Sequence, residues 1–283
     1  MSSKRQTNLY HCTKSDSLIK ILGSKYFRYS YCLEEYYGRK DNGFNNELLA
    51  YAMVCFADLY TNELWSHTHQ FNADSYIIME KSWAKEKRIC PVLYYNRDSL
   101  SNWAFLAMIN YILDINKDFV SLYATKEYGR INENVGVLDR IWDNADKLHK
   151  SLELFRPFFK RYEGCYFLKN EGRFSDEPTE FFLEREWRSF PVVQNREKIY
   201  LSEKEYRDQN TLNNAVKELE RNNKLEFQWK DIKKIGCKKE KKAEVIKTIK
   251  DSFDIDAKEI KNKIVLLNRL KISMALPMHT VKS

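Results

Sequence analysis

Glycine and proline are scarce, 8 and 5 in 283 residues, too few turn residues for an all-β repeat. The six cysteines are Cys12, Cys32, Cys55, Cys90, Cys165 and Cys237. None is spaced as CxxC or CxxxxC, so no zinc knuckle is visible and no metal is expected. Neither GxGxxG nor GxxxxGK(S/T) occurs, which removes a dinucleotide-binding Rossmann turn and a P-loop from consideration. The chain starts Met-Ser-Ser-Lys-Arg with no apolar leader, and no apolar run is long enough to span a bilayer. The expectation is a cytoplasmic protein with free thiols and no membrane partner.

What is present describes a globular chain. It is 43% hydrophobic and 31% charged, too apolar for disorder. Tyrosine (18) and phenylalanine (16) are abundant and serve as core volume or as stacking surfaces. The net charge of +8 is uneven. Residues 201–283 hold 20 Lys+Arg against 13 Asp+Glu, whereas the first 200 hold 28 against 27. The basic C-terminal part, with Lys238, Lys239, Lys241 and Lys242, favours a nucleic acid or an acidic protein, or is a solvated lysine-rich surface.

The pattern predicts strands at 8–13, 51–56, 76–79, 91–95, 164–168, 181–193, 225–229, 232–235 and 263–267. Helices are predicted at 18–22 (capped by Ser15-Asp16-Ser17), within 34–50, from 82, at 103–113, 134–155, 203–222 and 243–253. The expected domains are 1–200, with a helical insertion at about 100–160, and a basic α/β extension at 201–283 packed on the same unit.

The most informative segment is Glu180-Phe-Phe-Leu-Glu184-Arg-Glu186-Trp-Arg188. Read as a strand, it places Glu184, Glu186 and Arg188 on one face and Leu183, Arg185 and Trp187 on the other. Two like charges two residues apart on a strand repel, so the pair suits a cleft that needs negative charge. The plainer alternative is an exposed strand whose glutamates pair with arginines, Arg188 with Glu186 among them.

Three further segments join it: Tyr10-His11-Cys12-Thr13, Val54 to Asp58 leading to Trp65-Ser66-His67, and the loop 170–178. Histidine first, an aromatic cluster next and Glu-x-Glu last resembles the signature of ADP-ribosyltransferases, especially the DarT-type enzymes that open with Tyr-His-x-Thr. A closer resemblance is to the AbiGi-like family of abortive phage-resistance proteins. The pieces that carry it are Tyr10 to Ser15, Met53 to Asp58, Trp83-Ala84 with Pro91 to Tyr94, and Glu184 to Pro191. They span the first two-thirds of the chain. Ser-His-Thr-His after Trp65 departs from related families, and the region beyond 205 has no counterpart.

The resemblance implies an α+β fold, an ADP-ribosyltransferase-like split antiparallel sheet, to which the strand-poor middle adds a helical insertion and the charge count a basic C-terminal extension. It implies NAD as substrate and no metal. Glu186 would stabilise an oxocarbenium-like ribose and Glu184 would orient the acceptor. His11, Thr13, Phe56, Trp65 and Arg188 would bind the dinucleotide. Arg173, Lys238, Lys239, Lys241 and Lys242 would hold a macromolecular acceptor, with RNA favoured. Phe56 and Trp65 read equally as core, and His11 as a structural hydrogen-bonder. His67 and His69 lie i, i+2 and do not face together on a helix.

Three functions are open on these residues. The first is an NAD-dependent mono-ADP-ribosyltransferase acting as a phage-defence effector, silenced by a cognate antitoxin or other neutralising protein. The second is a non-catalytic AbiGi-type antitoxin. The third is a nucleic-acid-binding module on a degenerate transferase fold. The retained His11, Glu184 and Glu186 favour the enzyme, because a binding protein has no need to keep two like-charged carboxylates beside a histidine.

Overall fold

The computed structural model describes residues 7–40, 43–96, 155–165, 167–168, 171–192 and 198–267, with isolated positions between 99 and 151. Among the described residues, nine strands form one sheet. They are β1 (Asn8–Thr13), β2 (Ser30–Lys40), β3 (Gly43–Leu59), β4 (Ser75–Met79), β5 (Cys90–Pro91), β6 (Glu186–Ser189), β7 (Tyr200–Ser202), β8 (Ile232–Cys237) and β9 (Ile264–Leu266). The order is β9-β8-β4-β1-β3-β6-β5, with β2 and β7 also paired to β3. All pairings are antiparallel except β8 with β9. The sheet is therefore mixed, and the architecture is α+β. The expected ADP-ribosyltransferase-like arrangement is not shown by it.

The long strand β3 organises the sheet. Its Ala50, Ala52, Val54 and Phe56 point to one side, the alanines into one apolar cluster and Val54 and Phe56 into the main core, and Leu49, Tyr51, Met53 and Cys55 point to the other, into a third cluster. A strand that is apolar on both faces belongs in the middle of a sheet, not at its edge. β1 and β6 flank it, so that Tyr10 and Glu186 both stand opposite Ala57. The opening histidine strand and the glutamate strand are thus neighbours across one intervening strand.

Helices α1 (Ser15–Ser24) and α6 (Lys242–Phe253) cover one face. Leu18 and Leu22 of α1 meet Val245 and Ile249 of α6 in the main core, together with Ile77, Ile232 and Trp83. The intervening helices are α2 (Leu64–Gln70), α3 (Lys81–Glu86), α4 (Glu203–Arg207) and α5 (Gln209–Asn222), and α7 spans Ala257–Lys263. No described helix is long and apolar enough to cross a membrane.

Several elements differ from expectation. The helix expected within 34–50 is a hairpin, β2 against β3, because pairing with a central strand outweighs local propensity. Ser15 and Ser17 lie inside α1 and do not cap it; Asp74, brought from before β4, accepts from the Ser15 backbone N–H at 2.6 Å and its hydroxyl at 2.9 Å. The strand 91–95 breaks at Val92, whose N–H donates to the Glu186 carbonyl at 2.8 Å. Leu93–Tyr95 then pairs, parallel, with Phe159–Arg161. Helix 203–222 is two helices, separated at Asp208, and α7 was not foreseen. The predicted helices 103–113 and 134–155 fall mostly outside the described residues, but Ala104, Ala107, Tyr111 and Asp143 are helical and exposed.

Gly236 on β8 stands opposite Tyr76 on β4, and the tyrosine ring lies across it. A Cβ at 236 would overlap that ring, which is itself packed edge-on against Tyr10 at 5.4 Å. Gly236→Ala should therefore cost about 1–3 kcal/mol through overpacking. Urea denaturation measures this, and an unchanged midpoint would show that Tyr76 moves aside freely.

Candidate functional site

The glutamate segment is not one strand. Phe181–Glu184 forms a turn of 3-10 helix, Arg185 is left-handed at φ 43°, ψ 53°, and β6 starts only at Glu186. The left-handed residue is held by its own side chain: Arg185 Nε donates to the Asp58 carbonyl at 2.6 Å, and its guanidinium pairs with Glu63. This bend, not a period of two, brings both carboxylates to one cation. Leu183 is left on the surface, 57% exposed.

That cation is Lys160, on the short strand Phe159–Arg161. Its Nζ lies 2.8 Å from Glu186 Oε2, 3.3 Å from Glu184 Oε2 and 3.9 Å from Glu34 Oε1. Arg188, fully buried, grips Glu186 with both prongs: Nε to Oε1 and Nη2 to Oε2, each at 2.9 Å. Arg188 also reaches Glu34 at 2.6 Å and the Pro157 carbonyl at 2.6 Å. Tyr36 donates to Glu34 at 2.7 Å, and the Glu186 backbone N–H donates to the Tyr94 hydroxyl oxygen at 2.8 Å. A buried charge is tolerated only when paired and hydrogen-bonded, and Glu186 meets that condition at every oxygen.

The two carboxyls are consequently unlike. Glu186 is held well below the ordinary carboxylate range, because Arg188 and Lys160 outweigh its burial. Glu184 is pushed up to about 7: burial acts first, and the Lys160 attraction does not offset it while Glu186 and Glu34 repel. Burial also lowers His67 to about 4, with Glu186 acting in opposition, so His67 faces the site as a neutral ring at pH 7.

A cleft of about 590 Å³ opens beside this network. It brings together four of the expected residues: His11, Phe56, Glu184 and Glu186. His11 donates from Nδ1 to the Cys55 carbonyl at 3.0 Å, just past the last paired residues of β1 and β3, and burial lowers its pKa. Its ring lies 4.9 Å from Phe27 and 5.5 Å from Phe56. Phe56 is core, also 5.7 Å from Trp83. Thr13 and Trp65 do not line the cleft. Trp65 is 43% exposed on α2 and stacks on His69 at 6.2 Å. Arg188 spends its guanidinium on Glu186 and Glu34, the ion pair of the plainer alternative, but buried and not on an exposed strand.

None of the basic residues assigned to an acceptor lines this cleft. Arg173 pairs with Glu171 and Asp176 on the surface. Lys238 pairs with Asp74 and Lys241 with Asp16 and Glu244, whereas Lys239 is exposed and Lys242 half-buried at the start of α6. Exposed pairs of this kind contribute little to stability.

Lys160, Glu34, Tyr36 and Tyr94 escaped the sequence reading. Lys160 and Arg161 lie within the aromatic run Phe158-Phe159-Lys160-Arg161-Tyr162, and a charge inside such a run is the one signal that could have exposed them. For Glu34, the partner is 154 residues away, beyond any local pattern.

No curated protein and no solved structure matches the chain. A known family does match residues 26–238: the abortive phage resistance protein AbiGi, described as an antitoxin. That description overturns the NAD-dependent transferase effector expected from the sequence and backs the neutralising alternative. A physical counterpart is the double grip of Arg188 and Lys160, which commits the charge of Glu186 to an internal ion pair. With more than half of its length matched, the chain belongs to the AbiGi family of abortive phage-resistance antitoxins.

Proposed function

We propose that this chain is the neutralising member of a toxin–antitoxin pair in phage defence, acting by binding a cognate toxin protein. The family match over residues 26–238 carries this reading. The buried network supports it, since Glu186 and Arg188 satisfy one another and Lys160 bridges both glutamates. Carboxylates used in this way are elements of shape and stability. They make the wall of a recognition cleft rigid, and a pre-organised surface binds with less ordering cost.

The test is co-expression with the gene encoded beside it. The neighbour alone should arrest growth, this chain should relieve the arrest, and the two should co-purify. Growth arrest by this chain alone, or failure to relieve the neighbour's arrest, would count against neutralisation.

A further inference from the structure

One atom of the network is unsatisfied. Glu184 Oε2 accepts from Lys160, but among the described residues Oε1 has no hydrogen-bond partner, although the side chain is only 8% exposed. A buried oxygen without a partner costs about 1–3 kcal/mol, more if charged. Glu184 lines the cleft, so a group entering there lies beside this side chain. Charge points to what that group is. Glu34, Glu184 and Glu186 face Lys160 and Arg188, three carboxylates against two cations, which leaves one negative charge in excess when Glu184 is ionised; of the other charged groups along the cleft, Arg161 pairs with Glu35 and Arg28 with Glu220. The walls are aromatic, with Phe71, Phe159, Phe174 and Phe181 along the cleft. Lys160 already sits over the Phe181 ring, 4.5 Å from its centroid. An anion would meet the carboxylates; a strongly hydrated ammonium would lose more water than it regains. A planar, weakly hydrated cation satisfies both the rings and the oxygen.

We infer that the cleft is a binding site for an amidinium or guanidinium head group, with Glu184 Oε1 as its acceptor and the phenylalanine rings as its walls. The volume suits a small molecule or a single inserted side chain. The site stands whether or not the chain neutralises a toxin.

Isothermal titration of the full chain with benzamidine and with agmatine tests it. Among the described residues, Lys160, Glu186, Glu34 and Tyr94 act on Glu184, with Arg188 bound to Glu186 and His67 along the same cleft, and Glu184 is raised to about 7, so that it changes charge near neutrality. Affinity should weaken about tenfold between pH 8 and pH 6, as the carboxyl takes up its proton. Glu184→Gln should weaken binding at pH 8 by about tenfold or more while circular dichroism is unchanged. Benzoate should not bind. No binding of either cation up to about 10 mM, or equal binding by Glu184→Gln and wild type, overturns the proposal. Competition then separates the two sources. Displacement of a co-purified partner by agmatine assigns the head group to an arginine of that partner, and simultaneous binding assigns it to a free small molecule.

Discussion

Replacing Arg188 by alanine should destabilise the protein by about 3–5 kcal/mol, the largest effect expected of any single substitution in the buried network. The loss does not measure how favourable the ion pair is. Taking two charges from water costs about as much as their attraction returns, and so a buried pair is weak evidence of net stabilisation. What makes the truncation severe is what it leaves behind. Glu186 loses both bonds to the guanidinium, and Glu34 loses its 2.6 Å contact. Lys160 alone then faces Glu34, Glu184 and Glu186. The Pro157 carbonyl is orphaned as well. Urea denaturation should show a lower midpoint with little change in slope. Adding Glu186→Gln to Arg188→Ala should recover part of the loss, since the second substitution removes the uncompensated charge. A loss below about 1 kcal/mol, or no recovery in the double variant, would mean that water enters the site and solvates the carboxylates.

Glu184→Gln should do the opposite at high pH. The folded protein raises the Glu184 carboxyl from 4.5 to about 7, so between those values the native state holds a proton that the unfolded chain has released. Stability therefore falls as pH rises through this window. At 1.36 kcal/mol per pKa unit, the window amounts to roughly 3 kcal/mol of destabilisation at pH 8. Glutamine keeps the acceptor for Lys160 and never ionises. Glu184→Gln should be more stable than wild type by roughly 2–3 kcal/mol at pH 8, with the difference gone below about pH 4.5. The variant comparison is needed because neighbours titrate the other way. His67 is lowered to about 4, so its contribution is lost as pH falls from 6.5 through that value. Glu186 is also lowered, and its contribution falls away as pH drops below 4.5 and is gone only in strong acid. Stability curves for the two proteins from pH 4 to pH 8 decide the matter. Parallel curves would show that Glu184 ionises freely in the folded state.

Much of the secondary structure was legible because it follows from local pattern. Strand β1, strand β4, helix α6 and strand β8 were anticipated within a residue or two, each having an apolar face at a clear period. The strand expected at 51–56 is part of β3, but its extension into a hairpin with β2 was not legible, because Glu34, Glu35 and the polar residues after them hide the alternation until the strands pair. The glutamate segment shows the limit most clearly. Its composition marked Glu184 and Glu186 as a pair directed at one cleft, and the cleft does hold both. Its geometry was misread as an unbroken strand, because the bend at Arg185 depends on Asp58 and Glu63, more than 120 residues earlier in the chain.

By itself, the sequence determined composition, the absence of glycine-rich nucleotide loops, the strand at 51–56 and the resemblance to the AbiGi family. Only the tertiary structure decided what the charges do. Whether a carboxylate is a free charge, an ion-pair partner or a proton-binding acid depends on which cations are within reach and how much water remains. Lys160 comes from 26 residues before Glu186, and Glu34 from 152 residues before it. Long-range packing sets those distances, and it makes one glutamate a fixed anion and its neighbour two residues away an acid that titrates near neutrality.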